Sequence, residues 1–189
     1  MTTESAVLRN FRRDVERAEE IGERRSPFRR LAGLAAPGMQ AVAVYRLGTW
    51  ALGLPPAFRL LVDPVYWLLD GLVKILWGIE ISRLATIGPG LYIGHFGGIT
   101  IGKHVVLGAN CSISQQITVG AAGRDGNHGA PVIGDNVYIA PGARVFGRIR
   151  IGHGVKIGAN AVVHADVPDN AVVALTPGFE IISYYGNRH

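Results

Sequence analysis

The chain has one cysteine, Cys111, among 189 residues. A lone thiol excludes a disulfide framework and any multi-thiolate zinc site within one chain. Lysine is scarce too. Only Lys74, Lys103 and Lys156 stand beside sixteen arginines, and the formal net charge is +5. The first 30 residues hold eight Arg against six acids, and the rest of the positive charge is spread thinly. No basic stripe is interleaved with aromatics, so nucleic acid is not an expected partner. The same 30 residues lack the apolar run of a signal peptide, so the expected location is cytoplasmic. Charged residues make up 17% and apolar residues 48%, which excludes a disordered chain. What is abundant is glycine, 26 residues, with no Gly-X-Y period and hence no collagen.

The length suits one domain with a short helical annex. Residues 1 to about 36 are polar, Arg/Glu-rich and helical in character, with breaks at Ser26-Pro27 and Pro37-Gly38. Residues 39–79 are strongly apolar, with breaks at Pro55-Pro56 and Asp63-Pro64. Within the longest apolar stretch, Leu60 to Ile79, the charges Asp63, Asp70 and Lys74 argue against a membrane-crossing helix. With Arg59 they fall on one helical face, opposite a wide apolar one. The expectation is that the apolar face packs on the chain's own core or on an oligomer partner. The alternative is peripheral contact of residues 60–79 with the inner face of the cytoplasmic membrane, anchored by Tyr66, Trp67 and Trp77.

From Ile81 onward the periodicity changes. Stepping by six from Ile101 meets Leu107, Ile113 and Val119; stepping by six from Ile133 meets Ile139, Val145, Ile151, Ile157 and Val163. The next residue is often small, as at Gly102, Gly108, Gly120, Gly134, Ala140, Gly152 and Gly158. A period of six is neither helical nor a plain alternating strand. It fits a triangular coil of three short strands per turn, with one aliphatic residue per side pointing inward and glycine relieving the corner. A second inward position, four residues on, holds Val105, Cys111, Ile117, Val137, Ala143, Ile149, Val155 and Ala161. Cys111 is therefore read as core and not as a nucleophile.

The interruptions of a regular coil are where chemistry is expected. Ile93 to Ile101 spans eight residues, with the extra two in Gly94-His95-Phe96-Gly97-Gly98. The second interruption is Ala121–Val132, a polar Gly-rich loop ending near His128. Each carries one histidine, whose pKa suits removal of a hydroxyl proton near neutral pH. His104, His153, His164 and His189 are read as surface residues. Glu80, at the mouth of the coil, is the nearest upstream acid that could orient a base.

The repeat resembles that of the hexapeptide-repeat acyltransferases, a family whose fold is a left-handed parallel β-helix. The resemblance implies a mainly β protein with a short N-terminal α-helical region: helices over 1–79, the β-helix over 80–182 and a tail over 183–189. Glu80-Ile-Ser-Arg-Leu-Ala-Thr-Ile-Gly-Pro-Gly, Gly94-His95-Phe-Gly-Gly, Asn127-His128 and Ile157-Gly-Ala-Asn-Ala-Val-Val resemble the serine acetyltransferase branch, including its polysaccharide-modifying relatives. Met39–Trp50 resembles the last helices of that branch's helical domain.

The resemblance implies acetyl transfer from acetyl-CoA to a hydroxyl without a metal. It casts His95 as the base, Glu80 as its orienting acid and His128 as the second active-site histidine. It places acetyl-CoA in a groove of a homotrimer, against Ala121, Ala122, Pro141, Lys156 and Ala159, with amides of the Ala121-Ala122 loop facing the oxyanion. Gly94 and Asn127 stand where the branch carries Asp and Arg to hold serine, so an uncharged clamp is expected to bind a zwitterion poorly. The helical region is also shorter than the branch's, and the tail lacks the terminal Ile that docks on a sulfhydrylase. The expected acceptor is accordingly a saccharide or lipid-linked glycan, with serine as the alternative and a non-catalytic scaffold as a further one. Gly97–Lys103 imitates a phosphate-binding loop, but His104 replaces its hydroxyl residue. The histidine spacings of 9, 24, 25, 11 and 25 lack the close pair of the family's zinc branch.

Overall fold

The computed structural model describes residues 6–22, 33, 35–123 and 128–175. Asn127, the Ser26-Pro27 break and the tail 183–189 lie outside the described residues. Among the described residues three helices come first: α1 (Ala6–Ile21), α2 (Pro37–Leu52) and α3 (Pro56–Trp77). Pro37 and Pro56 open their helices, where a missing N–H is harmless. Gly78 closes α3 in the left-handed conformation, φ +61°, its N–H donating to the Lys74 carbonyl at 3.1 Å. The expected break at Asp63-Pro64 does not occur, because α3 runs through Pro64. The carbonyl that loses its partner is that of Leu60, on the exposed side of the helix, where water can satisfy it.

From Ile79 the chain forms a parallel β-helix of about five turns. Among the described residues fourteen strands of two or three residues stack into three sheets: β1 (Ile79–Ile81), β4 (Ile99–Ile101), β7 (Thr118–Gly120), β10 (Arg144–Phe146) and β13 (Val162–Val163); β2 (Thr86–Ile87), β5 (Val106–Leu107), β8 (Val132–Ile133) and β11 (Arg150–Ile151); and β3 (Tyr92–Ile93), β6 (Ser112–Ile113), β9 (Tyr138–Ile139), β12 (Lys156–Ile157) and β14 (Val172–Val173). Both inward series are buried, from Ile101 to Val163 and from Val105 to Ala161. Cys111 lies among them, and burial pushes its thiol up to about 11.

The register shows what the interruptions do. Thr118 pairs with Thr100, eighteen residues back, which is one undisturbed turn. Across the first interruption Ile99 pairs with Ile79, twenty residues back. Across the second, Val132 pairs with Val106, twenty-six residues back. The surplus residues therefore loop out whole, and every inward residue keeps its face. The last turn is two residues short, Val172 pairing with Lys156, a contraction the repeat did not announce.

The helical layer is bolted to the first turn. Tyr45 Oη donates to the Ala85 carbonyl at 2.9 Å and accepts from the Ile87 amide at 3.1 Å. Arg46 donates to the carbonyls of Ile87 and Gly88 at 2.7 and 2.6 Å and to the buried Asp14 carboxylate of α1. Within one chain the expected packing of the apolar face on the chain's own core is not what α3 adopts. Its charged face, not its apolar one, turns to the protein: Arg83 meets Asp63 at 2.7 Å, and Lys74 meets Asp70 at 2.8 Å. Tyr66 and Asp70 are buried, while Leu60 and Ile75 are 77% and 82% exposed.

Candidate active site

The loop that carries His95 joins β3 of one sheet to β4 of another, at one edge of the triangular prism. His95 is exposed and flanked by Gly94 and Phe96. Phe96 sets the loop against the helical layer: its ring meets Trp77 edge-on at 5.4 Å, and the Trp77 indole N–H donates to Gln40 Oε1 at 3.1 Å. Two further constraints fix the loop. Gln116 donates to the Gly97 carbonyl at 2.7 Å, and Gly98 (φ +66°) packs so close to Gly78 that a Cβ on Gly78 would sit 3.2 Å from its nitrogen. These contacts hold an imidazole at the coil edge on a short, pinned loop.

Glu80 is on the outer face of β1, opposite Thr100. Among the described residues no hydrogen bond joins it to His95. Its carboxylate lies 3.4 Å from Lys74 Nζ instead. Burial works against the Lys74 ammonium, but Asp70 and Glu80 outweigh it and hold its pKa above the usual value. Glu80 also borders a cavity of about 590 Å³ between the charged face of α3 and the first turns, shared with Arg59, Asp70, Arg83 and Lys103.

His128 is exposed in the second loop, which joins β7 to β8 at a different edge of the prism. One chain therefore does not bring its two loop histidines together. In the same loop the Ala122 N–H donates to the Gly129 carbonyl at 3.0 Å. That amide is committed within the loop and is not aimed at an oxyanion, a correction to the expectation. Its neighbour Ala121 is exposed.

Pro141 and Ala159 occupy the same edge as the His95 loop, in later turns. Asn160 donates to the Pro141 carbonyl at 2.9 Å, Gly142 to the Gln115 carbonyl at 3.1 Å, and Gln116 to Gly97. This ladder runs three turns from the His95 loop to Ala159, about 14 Å at one strand spacing per turn. Lys156 projects from the adjoining sheet and is exposed. The column is lined with small side chains along which an extended thiol cofactor could lie, with a cation beside it. Of the remaining histidines, His104 is exposed with φ +62°, His164 stacks on Phe146, and His153 Nδ1 accepts from the Asp135 amide at 3.0 Å. Among the described residues no three His, Cys, Asp or Glu side chains group as metal ligands.

Sequence reasoning missed Trp77 and Phe96 as the pair that seats the His95 loop. Their signal was an aromatic directly before the coil and another inside its first interruption.

Comparison with known proteins agrees with this geometry. Residues 130–167 match the model described as bacterial transferase hexapeptide (six repeats), and residues 98–121 match the hexapeptide repeat of succinyl-transferase. A serine acetyltransferase of Synechococcus elongatus is 38% identical over 145 residues, covering 77% of this chain and 57% of that protein. One from Staphylococcus aureus is 46% identical over 105 residues, covering 56% and 49%. The crystal structure of Neisseria gonorrhoeae serine acetyltransferase in complex with serine superposes with a TM-score of 0.70 at 30% identity, covering 90% of this chain and 67% of that one. The chain spans about half to three fifths of the length of the curated relatives it matches. With a six-residue coil, a histidine loop at its first interruption and these relatives, the chain belongs to the hexapeptide-repeat acyltransferases, in their serine acetyltransferase-like branch.

Proposed function

We propose that this chain is an acetyl-CoA-dependent O-acetyltransferase with His95 as general base and L-serine as acceptor. The pinned, exposed His95 at the head of the Pro141–Ala159 column carries the reading of acetyl transfer. The names of the relatives carry the choice of serine, and displace the saccharide expected from sequence. His95 would take the hydroxyl proton as the oxygen attacks the thioester carbonyl, and coenzyme A would leave as the thiol. Glu80 would orient the imidazole after parting from Lys74. Ala121, Pro141, Ala159 and Lys156 would receive the cofactor. Because His95 and His128 lie at different edges, His128 would serve a neighbouring copy in a homotrimer, and the site would be complete only between copies.

A second reading, a saccharide acceptor, is favoured by Gly94. A Cβ built there would meet only the Tyr92 ring, at 3.4 Å, so the position beside His95 is uncharged and open. Free-thiol release from acetyl-CoA decides between them. Turnover with L-serine that vanishes in His95→Ala supports the serine reading. Turnover with sugars but not serine, also lost in His95→Ala, replaces it with the saccharide reading. Turnover that survives His95→Ala overturns both.

A further inference from the structure

Helix α3 has its polarity inside out, and the function does not account for it. At about 100° per residue, Trp67, Leu60, Ile75, Leu68, Leu61 and Leu72 sweep roughly 140° of the helix circumference, and all are exposed. No charged residue falls in that arc. The apolar surface continues onto α2 through a groove of about 300 Å³ lined by Val44 of α2 and Leu72 and Leu76 of α3. A contiguous exposed apolar face of this kind marks an interaction surface more often than bare solvent-facing helix.

We propose that the outer face of α3 lies on an anionic membrane surface. The 22-residue helix is about 33 Å long and would lie flat; among the described residues no helix is long and apolar enough to cross. Trp67 stands at one margin of the arc, as an indole does at a headgroup boundary. Exposed Lys103 borders the same cavity as Trp67, so an ammonium group flanks that margin, while Lys74 in the same cavity is held by Asp70 and Glu80. The chain's formal charge of +5 suits anionic lipid. A second copy of the chain is the less favoured occupant. A protein interface carries about one hydrogen bond per 100–200 Å², whereas the Trp67 indole is the sole side-chain donor or acceptor on this arc. Vesicle binding needs no acetyl acceptor, so its outcome is independent of the acetyl-transfer reading.

The test is co-sedimentation of the full chain with vesicles of phosphatidylcholine alone or mixed with phosphatidylglycerol, at low and high salt. The expected result is binding to the mixed vesicles, weakened by salt, with a blue shift of tryptophan emission. Leu68→Glu/Ile75→Glu changes two exposed positions, should keep the wild-type circular dichroism spectrum, and should weaken binding about a hundredfold or more. Lys103→Glu should weaken binding to the anionic vesicles alone. Absence of binding to both vesicle types overturns the proposal. So does a wild-type assembly in solution twice the size of the Leu68→Glu/Ile75→Glu variant's without vesicle binding, which would assign the face to a second copy.

Discussion

Asp14 and Arg46 form a buried, two-pronged pair, Nε to Oδ2 at 2.8 Å and Nη2 to Oδ1 at 3.1 Å. Asp14 Oδ1 also accepts from the Gly90 and Leu91 amides at 2.7 and 2.8 Å. One carboxylate thus joins α1, α2 and the first turn of the coil. Burial pushes its pKa above the ordinary value, against the pull of Arg46 and the two amides. Removing one partner leaves the other charge buried and alone, which ordinarily costs about 3–5 kcal/mol. Asp14→Ala should therefore lower the unfolding midpoint strongly in thermal denaturation. The double variant Asp14→Ala/Arg46→Met should lose less than the two single losses combined.

The corners after β2, β5, β8 and β11 stack glycine on glycine. A Cβ on Gly108 would lie 2.6 Å from the Gly134 carbonyl carbon, whereas one on Gly120 would meet nothing within 4 Å. Gly108→Ala should destabilise by about 1–3 kcal/mol or more. Gly120→Ala should stay within about 0.5 kcal/mol. Urea denaturation of the two variants side by side checks the difference.

Cys111 should resist iodoacetamide at pH 8 in the folded chain and react fully in denaturant, because only the thiolate attacks. The sign of the linkage follows from the same shift. Burial holds the proton on the folded thiol to about pH 11, while the unfolded one releases it near the ordinary value of 9.0. Stability contributed at this site is therefore present below pH 9 and lost as pH rises from 9 to 11. Cys111→Ala should flatten that part of the stability profile in pH-dependent unfolding.

Lys156→Ala tests the cofactor column. If the ammonium meets a phosphate of acetyl-CoA, the KM for acetyl-CoA should rise by up to about tenfold with kcat nearly unchanged, the pattern of lost uniform binding. Steady-state kinetics with varied acetyl-CoA measure it.

The coil was legible because its determinants are local and periodic. Ile101 to Val163 and Val105 to Ala161 name their own inward positions, and the two surplus segments stand out against them. The helical layer was less legible. Asp14 reads like any acid of an Arg/Glu-rich segment until Arg46 and the Gly90 and Leu91 amides close around it. The inverted packing of α3 escaped because a helical wheel shows which residues share a face but not which face turns inward. Here Arg83, 4.8 Å from both the Tyr66 and Trp67 rings and paired with Asp63, decides that. At the site, the six-residue pattern located the His95 loop. The partner of Glu80 was not legible, because Lys74 reaches it from a different element.

The pairing offsets of eighteen, twenty and twenty-six residues have a bearing on how such a chain can change over generations. An added residue cannot be shared out along a turn, since a shift of one would swap inside for outside in every strand that follows. Growth must come as an excursion that leaves and rejoins at one edge. New loops can thus arise at any edge and be remodelled freely, while the prism beneath them is inherited unaltered.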